Sequence, residues 1–361
     1  MNLRIPGPTP VPENVLKIMS KQMINHRGRE FGQLLVDITD NLKTLFQTKN
    51  DIIIYTCSGT GGMEAAVVNT LSPKDKVLAV SIGVFGERFA QIAETYGADV
   101  TRLNFDYGTA ADPDAVSKAL EKDPQIKAVL LTHNETSTGV TNDLAALSAA
   151  VKKYDKLLLV DAISSLGCMD LQVDGWRCDV VVTGSQKGWM SPPGVAMLSF
   201  SPKAWEAIEQ SKMPKFYFDA KKAKSYLEKN QTPWTPVIST FYALGVSLDM
   251  MVKEGLDSIF ARHTKMAERT RAGIKSLGLT LFADPACASS TITSVKVPDD
   301  VDGVKLVKIM EDKYDTIIAG GQVDLTGKIF RVGHLGYVAE ADIDKVIDAL
   351  RLTLPQAKST G

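Results

Sequence analysis

Cysteine and histidine are scarce in this chain, with four of each among 361 residues. Cys57, Cys168, Cys178 and Cys287 form no CxxC pair, and the histidines do not cluster with them. A metal site or a disulfide framework is therefore not expected, and unpaired thiols fit a cytoplasmic setting. Charge of one sign is missing too: 41 Lys and Arg against 42 Asp and Glu leave a formal net charge of −1. Such balance gives no field to attract nucleic acid or an anionic membrane, and short basic runs such as Lys221-Lys222 read as solvated surface. No uncharged apolar run reaches ~18 residues, so no segment is expected to span a bilayer. The opening Met1-Asn2-Leu3-Arg4-Ile5-Pro6-Gly7 has no apolar stretch of the secretory kind. Internal repeats and low-complexity segments are absent as well.

What is present is an average globular composition, 44% apolar and 23% charged, on a chain long enough for two domains of ~100–200 residues each. Short apolar runs at Asp51–Thr56, Lys76–Val80, Lys127–Thr132, Lys156–Val160 and Asp179–Thr183 read as strands. Amphipathic stretches such as Phe85–Tyr96 and Asp143–Tyr154 lie between them. Strand alternating with helix predicts an α/β unit, a mainly parallel sheet covered on both faces. Gly194–Phe200 is a further strand whose direction the sequence leaves open. After Trp234-Thr235-Pro236 the pattern changes to long helices, Thr240–Lys253 and Leu256–Leu277. Strand candidates then follow at Thr293–Val297, Thr316–Ala319 and Lys328–Val332, with helical patterns at Val304–Tyr314 and Ala341–Leu350. The predicted division is an N-terminal arm over 1–15, a large domain over 16–254 and a smaller α+β domain over 255–361.

Three features carry chemistry. Ser58-Gly59-Thr60-Gly61-Gly62 follows the first strand and precedes a helical run, Met63–Leu71. Glycines allow close backbone approach, and N–H groups at a helix start bind phosphate. Alone, the loop reads equally as a plain strand-to-helix turn, and it is neither a Walker A loop nor GxGxxG. Asp161 closes the run Leu157–Val160, at the strand end where open α/β sheets place ligands, although a helix cap explains it as well. Lys187 follows the next strand and is trailed by an apolar, turn-rich segment that could enclose it. Burial lowers a lysine pKa and frees the amine that attacks carbonyls. Together these features meet the needs of pyridoxal 5′-phosphate. Its phosphate needs N–H donors, its ring nitrogen needs a carboxylate, and its aldehyde needs an amine for a Schiff base.

The chain resembles the class V, fold-type I aminotransferases, in particular the alanine–glyoxylate and serine–glyoxylate (serine–pyruvate) group. The resemblance rests on Pro6-Gly7-Pro8-Thr9, Ser58-Gly59-Thr60, Gly83-Val84-Phe85-Gly86, the run Thr132–Gly139, Val160-Asp161, Gly184-Ser185-Gln186-Lys187 and Phe330-Arg331-Val332-Gly333, and on the 26 residues from Asp161 to Lys187. It implies a large domain with a seven-stranded-type sheet. Lys187 and Asp161 would be the catalytic pair, with Ser58, Gly59 and Thr60 at the phosphate beside Gln186. Phe85 and Ile163 would flank the ring, and Thr136 would bond the ring hydroxyl. Thr235, or Thr232, would reach the phosphate of the neighbouring subunit, so that a homodimer shares its sites. Arg331 would bind the substrate carboxylate, with Gly7 close by, and His26-Arg27-Gly28 would lie near the entrance.

The implied reaction is a ping-pong transamination. A small amino acid, alanine or serine, gives its amino group to the cofactor, and glyoxylate or pyruvate takes it. Aspartate and glutamate are disfavoured because no second cation is apparent. Rivals within the fold are 2-aminoethylphosphonate and ureidoglycine aminotransferases, and a cysteine desulfurase using Cys287. A rival of another class is a non-catalytic subunit of a larger complex, which intact Lys187 and Asp161 oppose.

Overall fold

The computed structural model describes residues 1–359. Seven strands form the main sheet: β1 (Asp51–Tyr55), β2 (Lys76–Ser81), β3 (Asp99–Asn104), β4 (Ala128–Thr132), β5 (Leu157–Asp161), β6 (Val180–Gly184) and β7 (Ala196–Phe200). Their order is β1-β7-β6-β5-β4-β2-β3. In β4, β5 and β6 every residue is buried, because helices cover both faces. Along β5, Leu158 and Val160 enter one apolar core while Leu157 and Leu159 enter the other, as the two-residue period of a strand requires. The first core is filled by Phe31, Leu35 and Ile38 of α1 (Arg29–Phe46). The second takes Ala65 and Ala66 from α2 (Gly59–Thr70) and Phe89 and Ala90 from α3 (Val84–Thr95).

Strand β7 runs antiparallel to both β1 and β6, which settles the direction that the sequence left open. Residues 185–195 hold no helix that could carry a parallel crossover. Strand β3 was not foreseen. It lies at the sheet edge, and its outer residues are exposed, so no apolar run announces it. Helix α2 begins at Gly59 rather than Met63, inside the glycine run. A Cβ on Gly62 would stand 2.8 Å from Val182 Cγ1, so glycine is what lets the first turn of α2 lie directly on β6.

A third core gathers Met266, Leu306, Met310, Phe330, Val332, Ile343 and Val346. Its sheet is β8 (Ile292–Lys296), β9 (Ala319–Gly320) and β10 (Ile329–Gly333), antiparallel in the order β8-β10-β9. Helix α4 (Ile238–Glu254) ends at Gly255, and α5 (Leu256–Ser276) starts there. Helix α5 gives Ile259 to the first core and Met266 and Ile274 to the third. The N-terminal arm joins the smaller sheet region, since Asn2–Leu3 pairs parallel with Thr316–Ile317. The arm then crosses to the large sheet, where the Thr9 N–H donates to Gln186 O (3.1 Å) and its hydroxyl to Lys187 O (3.0 Å). No helix among the described residues is long and apolar enough to cross a membrane.

Three histidines, His133, His263 and His334, are buried. The Gly336 N–H donates to His263 Nε2, so that ring is neutral, and its Nδ1–H donates to Ile259 O. Burial pushes His263 and His334 down to about 3 and His133 to about 4. Each therefore takes up a proton in the unfolded chain, near pH 6.5, well before it does in the folded one. Stability is expected to fall as pH drops from 6.5 toward 4, by up to about 1.4 kcal/mol per pH unit for each ring. Denaturant unfolding at a series of pH values checks this, and His334→Gln should reduce the slope by one proton. A slope unchanged by that substitution contradicts the assignment.

Candidate active site

The site lies at the carboxyl ends of β5 and β6, where an open α/β sheet leaves room for a ligand. Asp161 is the last residue of β5 and is 3% exposed. Its Oδ1 accepts from Ile163 N–H at 2.9 Å. Burial raises its pKa to about 7; the Ile163 N–H opposes the rise, Glu135 adds to it, and Lys187 and Arg88 oppose it. Lys187 stands three residues beyond β6, and its Nζ donates to Pro6 O at 2.7 Å. Burial pushes the ammonium down to about 8, against the pull of Asp161 and with the help of Arg331 and Arg88. Gly7 passes so close that a Cβ would meet Lys187 Nζ at 2.6 Å. The arm thus encloses the amine that the sequence only suggested was buried.

The glycine loop faces the same space. Ser58 caps α2 with no side-chain hydrogen bond to the helix, and the N–H groups of the first turn have no partner within it. Ser58 and Thr60 are exposed. Gln186 Oε1 is buried without a partner. It lies near Gly184, whose own neighbour is the Gly59 backbone: a Cβ on Gly184 would sit 3.0 Å from Oε1 and 3.5 Å from Gly59 N. An anion placed at this helix start would meet the free N–H groups of the first turn and the Ser58 and Thr60 hydroxyls. Ile163 reaches under the loop, since a Cβ on Gly59 would stand 2.6 Å from Ile163 Cδ1. Phe85 is half-buried at the start of α3. The Thr136 hydroxyl donates to Ser164 Oγ at 2.9 Å, and the Thr136 carbonyl accepts from Arg331 Nη1 at 3.1 Å.

Arg331, on β10, is 4% exposed. Its partners are the carbonyls of Gly320 and Thr136 and the Gln322 side chain. No carboxylate pairs with it among the described residues. Burial lowers its pKa to about 10, opposed by Glu135. The two threonines that the sequence left as alternatives differ in kind. Thr232 is buried, and its hydroxyl is committed to Trp234 O at 2.7 Å, whereas Thr235 is exposed. Arg27, read from sequence only as lying near the entrance, bonds the carbonyls of Thr232 and Pro233 and so holds that segment.

Two residues of this region were missed. Glu135 is wholly buried and accepts from the N–H groups of Phe85, Gly86 and Ser137 and from the Ser137 hydroxyl. Burial raises its pKa and these donors oppose the rise. It fixes the first turn of α3, and with it Phe85. Its signal was its place in the run Thr132–Gly139, but an acid between Asn134 and Thr136 carries no periodicity. Arg88 lies over the Phe85 ring at 4.6 Å and reaches Thr60 Oγ1 at 3.4 Å. Read along the sequence it is one more charge on a helix face.

A glycine-lined helix start, a buried acid and an enclosed amine at adjacent strand ends define a pyridoxal-phosphate enzyme, and the free N–H groups of the first turn of α2 with the exposed Ser58 and Thr60 fit the phosphate of that cofactor. The family profile described as Aminotransferase class-V matches residues 1–346, and the chain belongs to this family of pyridoxal-phosphate enzymes. It is 46% identical over 355 residues to the soluble hydrogenase 42 kDa subunit of Anabaena cylindrica, covering 98% of this chain and 92% of that one. It is 38% identical to the L-aspartate–glyoxylate aminotransferase of Paracoccus denitrificans, over 93% of this chain and 87% of that one. Among solved structures, the alanine–glyoxylate aminotransferase of a Nostoc species superposes with a TM-score of 0.95 at 31% identity, over 98% and 95% of the two chains. That likeness places the fold among the fold-type I enzymes.

A carboxyl whose folded pKa is raised stabilises the fold below its unfolded pKa, near 4, and that stability is lost as pH rises through about 7. Cofactor-free Asp161→Asn is therefore expected to be more stable than the cofactor-free parent at pH 8, by ~1–3 kcal/mol. The gap should close near pH 4. Thermal unfolding of both cofactor-free proteins across this range measures it. Equal stability at pH 8 contradicts an unpaired buried carboxylate.

Proposed function

We propose that this enzyme transfers an amino group from a small amino acid, alanine or serine, to glyoxylate or pyruvate. The observation that carries the reading is Arg331, a buried guanidinium bonded to no carboxylate among the described residues, within electrostatic reach of the Lys187 amine. Amino and keto acids bring the missing carboxylate, and an arginine fork holds it by two parallel bonds. Gripped there, and with its amino group toward Lys187, a substrate presents its Cα–H to one side of the site. The aminotransferase relatives whose names include glyoxylate support this acceptor.

Pyridoxal phosphate, when bound, supplies the electron sink that makes the substrate Cα–H acidic. In this reading Asp161 would hold a proton on the cofactor's ring nitrogen, and that positive partner would supply the countercharge the buried acid lacks. Lys187 would hold the cofactor at rest, and its freed amine would take the proton from the substrate Cα and return it to the cofactor carbon that bears the amino group. Its amine is suited to this because burial leaves it partly neutral near pH 8. Ser58, Gly59, Thr60 and Gln186 hold the phosphate, Phe85 and Ile163 flank the ring, and Thr136 meets the ring hydroxyl. Gly7 brings the arm against the substrate and helps exclude water.

The reading includes the division into an arm, a 16–254 unit and a 255–361 unit, so that Lys187 and Arg331 meet across a cleft. It also includes a homodimer in which Thr235, rather than Thr232, reaches the partner's phosphate. Thr235 is exposed beside Phe216 (74% exposed), Tyr217 and Trp234, whose rings stack on one another. An aromatic patch of this kind suits burial against a second copy.

A second donor, aspartate, is favoured by one observation. Arg88 stands at Phe85 and Thr60, and it is a cation that the sequence reading did not see. A desulfurase reading has little to stand on, since Cys287 contacts the carbonyls of Gly108 and Asp284 and burial raises its thiol pKa.

A donor screen tests the reading. Each amino acid is added to the cofactor-loaded enzyme, and conversion to the aminated cofactor is followed by absorbance. Alanine or serine should convert fastest. Arg331→Lys should keep the cofactor and lose ~2–4 kcal/mol of kcat/KM, roughly 30- to 1000-fold, toward the best donor. An amine lacking a carboxylate should be unaffected. If aspartate leads and Arg88→Gln removes only that lead, the second reading holds.

A further inference from the structure

The five N–H donors of Arg331 leave little to spare. Nε and Nη2 share the Gly320 carbonyl, at 3.0 and 2.8 Å. Nη1 bonds the Thr136 carbonyl at 3.1 Å and Gln322 Oε1 at 3.2 Å. The backbone partners are fixed by β9 and by the turn after Glu135. Gln322 is the one side chain among the four bonds, and a carboxylate docking on both Nη atoms must take its place.

The segment bearing Gln322 is open on one side and tightly turned on the other. Gly320 has no atom within 4 Å of where a Cβ would stand, so open space lies beside it. Gly321 must be glycine, because a Cβ there would collide with Leu325 O. Val323 is in the left-handed region at φ +50°, uncommon for a β-branched residue, and is 71% exposed. A short turn over Val323–Leu325 follows and returns the chain to β10. Gln322 itself is half-buried, with one face on Arg331 and the other toward solvent.

We propose that Gln322 is the exchangeable partner of Arg331 and a specificity-determining residue for the substrate carboxylate. Without substrate its amide oxygen occupies Nη1. When an amino or keto acid arrives, the side chain yields that position and turns its Nε2–H₂ to the incoming carboxylate. An amide suits this double role because it carries an acceptor and two donors on one flat group. A carboxylate in its place would pair permanently with the guanidinium, and an aliphatic side chain would offer the substrate nothing. The inference rests on the reading of Arg331 as the carboxylate anchor.

The test is calorimetric titration of the cofactor-loaded enzyme with propionate, a carboxylate without an amino group, in the parent and in Gln322→Ala, Gln322→Glu and Arg331→Lys. Unchanged cofactor absorbance serves as the control for folding. Gln322→Ala is expected to weaken propionate about 3- to 10-fold, the loss of one bond to a charged group, and Gln322→Glu about 10- to 100-fold, the loss of a free guanidinium face. Arg331→Lys should weaken it as well. Weakening in Arg331→Lys with unchanged or tighter binding in Gln322→Ala overturns the role of Gln322 alone. Unchanged binding in Arg331→Lys overturns the carboxylate anchor itself, and this inference with it. Should Gln322→Glu fail to load cofactor, Gln322→Ala carries the test.

Discussion

Asp161 is a buried acid and Lys187 a half-buried residue with an enclosed amine, each held apart from any neutralising partner of its own. Charge taken out of water is costly unless it is paired, and here neither the acid nor the amine has a full partner in the chain. The sheet supplies the scaffold that makes such a cost bearable. Asp161 closes β5, the central strand buried on both faces, and Lys187 leaves β6 beside it. The two pKa values move toward each other, to about 7 and about 8. A cofactor with a ring nitrogen and an aldehyde answers both needs at once.

The rest of the molecule is arranged around that pair. Glycines at 59 and 62 bring the start of α2 against Ile163 and Val182, and this sets the free N–H groups of its first turn at the carboxyl end of the sheet. Glu135 spends a buried carboxylate on the first turn of α3 and so orients Phe85. The N-terminal arm links the Thr316–Ile317 strand, just before β9, to the Lys187 turn through Asn2–Leu3 and Thr9.

Much of this was legible in the sequence where chemistry and periodicity coincide. The buried strands were found within a residue or two, because Val- and Leu-rich runs have no other use in such a chain. Asp161 and Lys187 were legible from their positions just past those runs. What was hidden depends on edges and on pairings distant in sequence. Strand β3 alternates weakly at an exposed edge. Thr232 and Thr235 differ in exposure and in a hydroxyl bond to Trp234, neither of which a sequence displays. Glu135, Arg88 and Gln322 act on groups that are respectively 50, 28 and 9 residues away, and no local pattern marks any of them.

The central claim is that one particular lysine holds the cofactor. Borohydride reduction of the cofactor-loaded enzyme, followed by peptide mapping, fixes the cofactor to the lysine that carries it. The account predicts a label on Lys187, in the peptide containing Gly184-Ser185-Gln186, and none on Lys187→Ala. A label on any other lysine, or an undiminished label in Lys187→Ala, contradicts it.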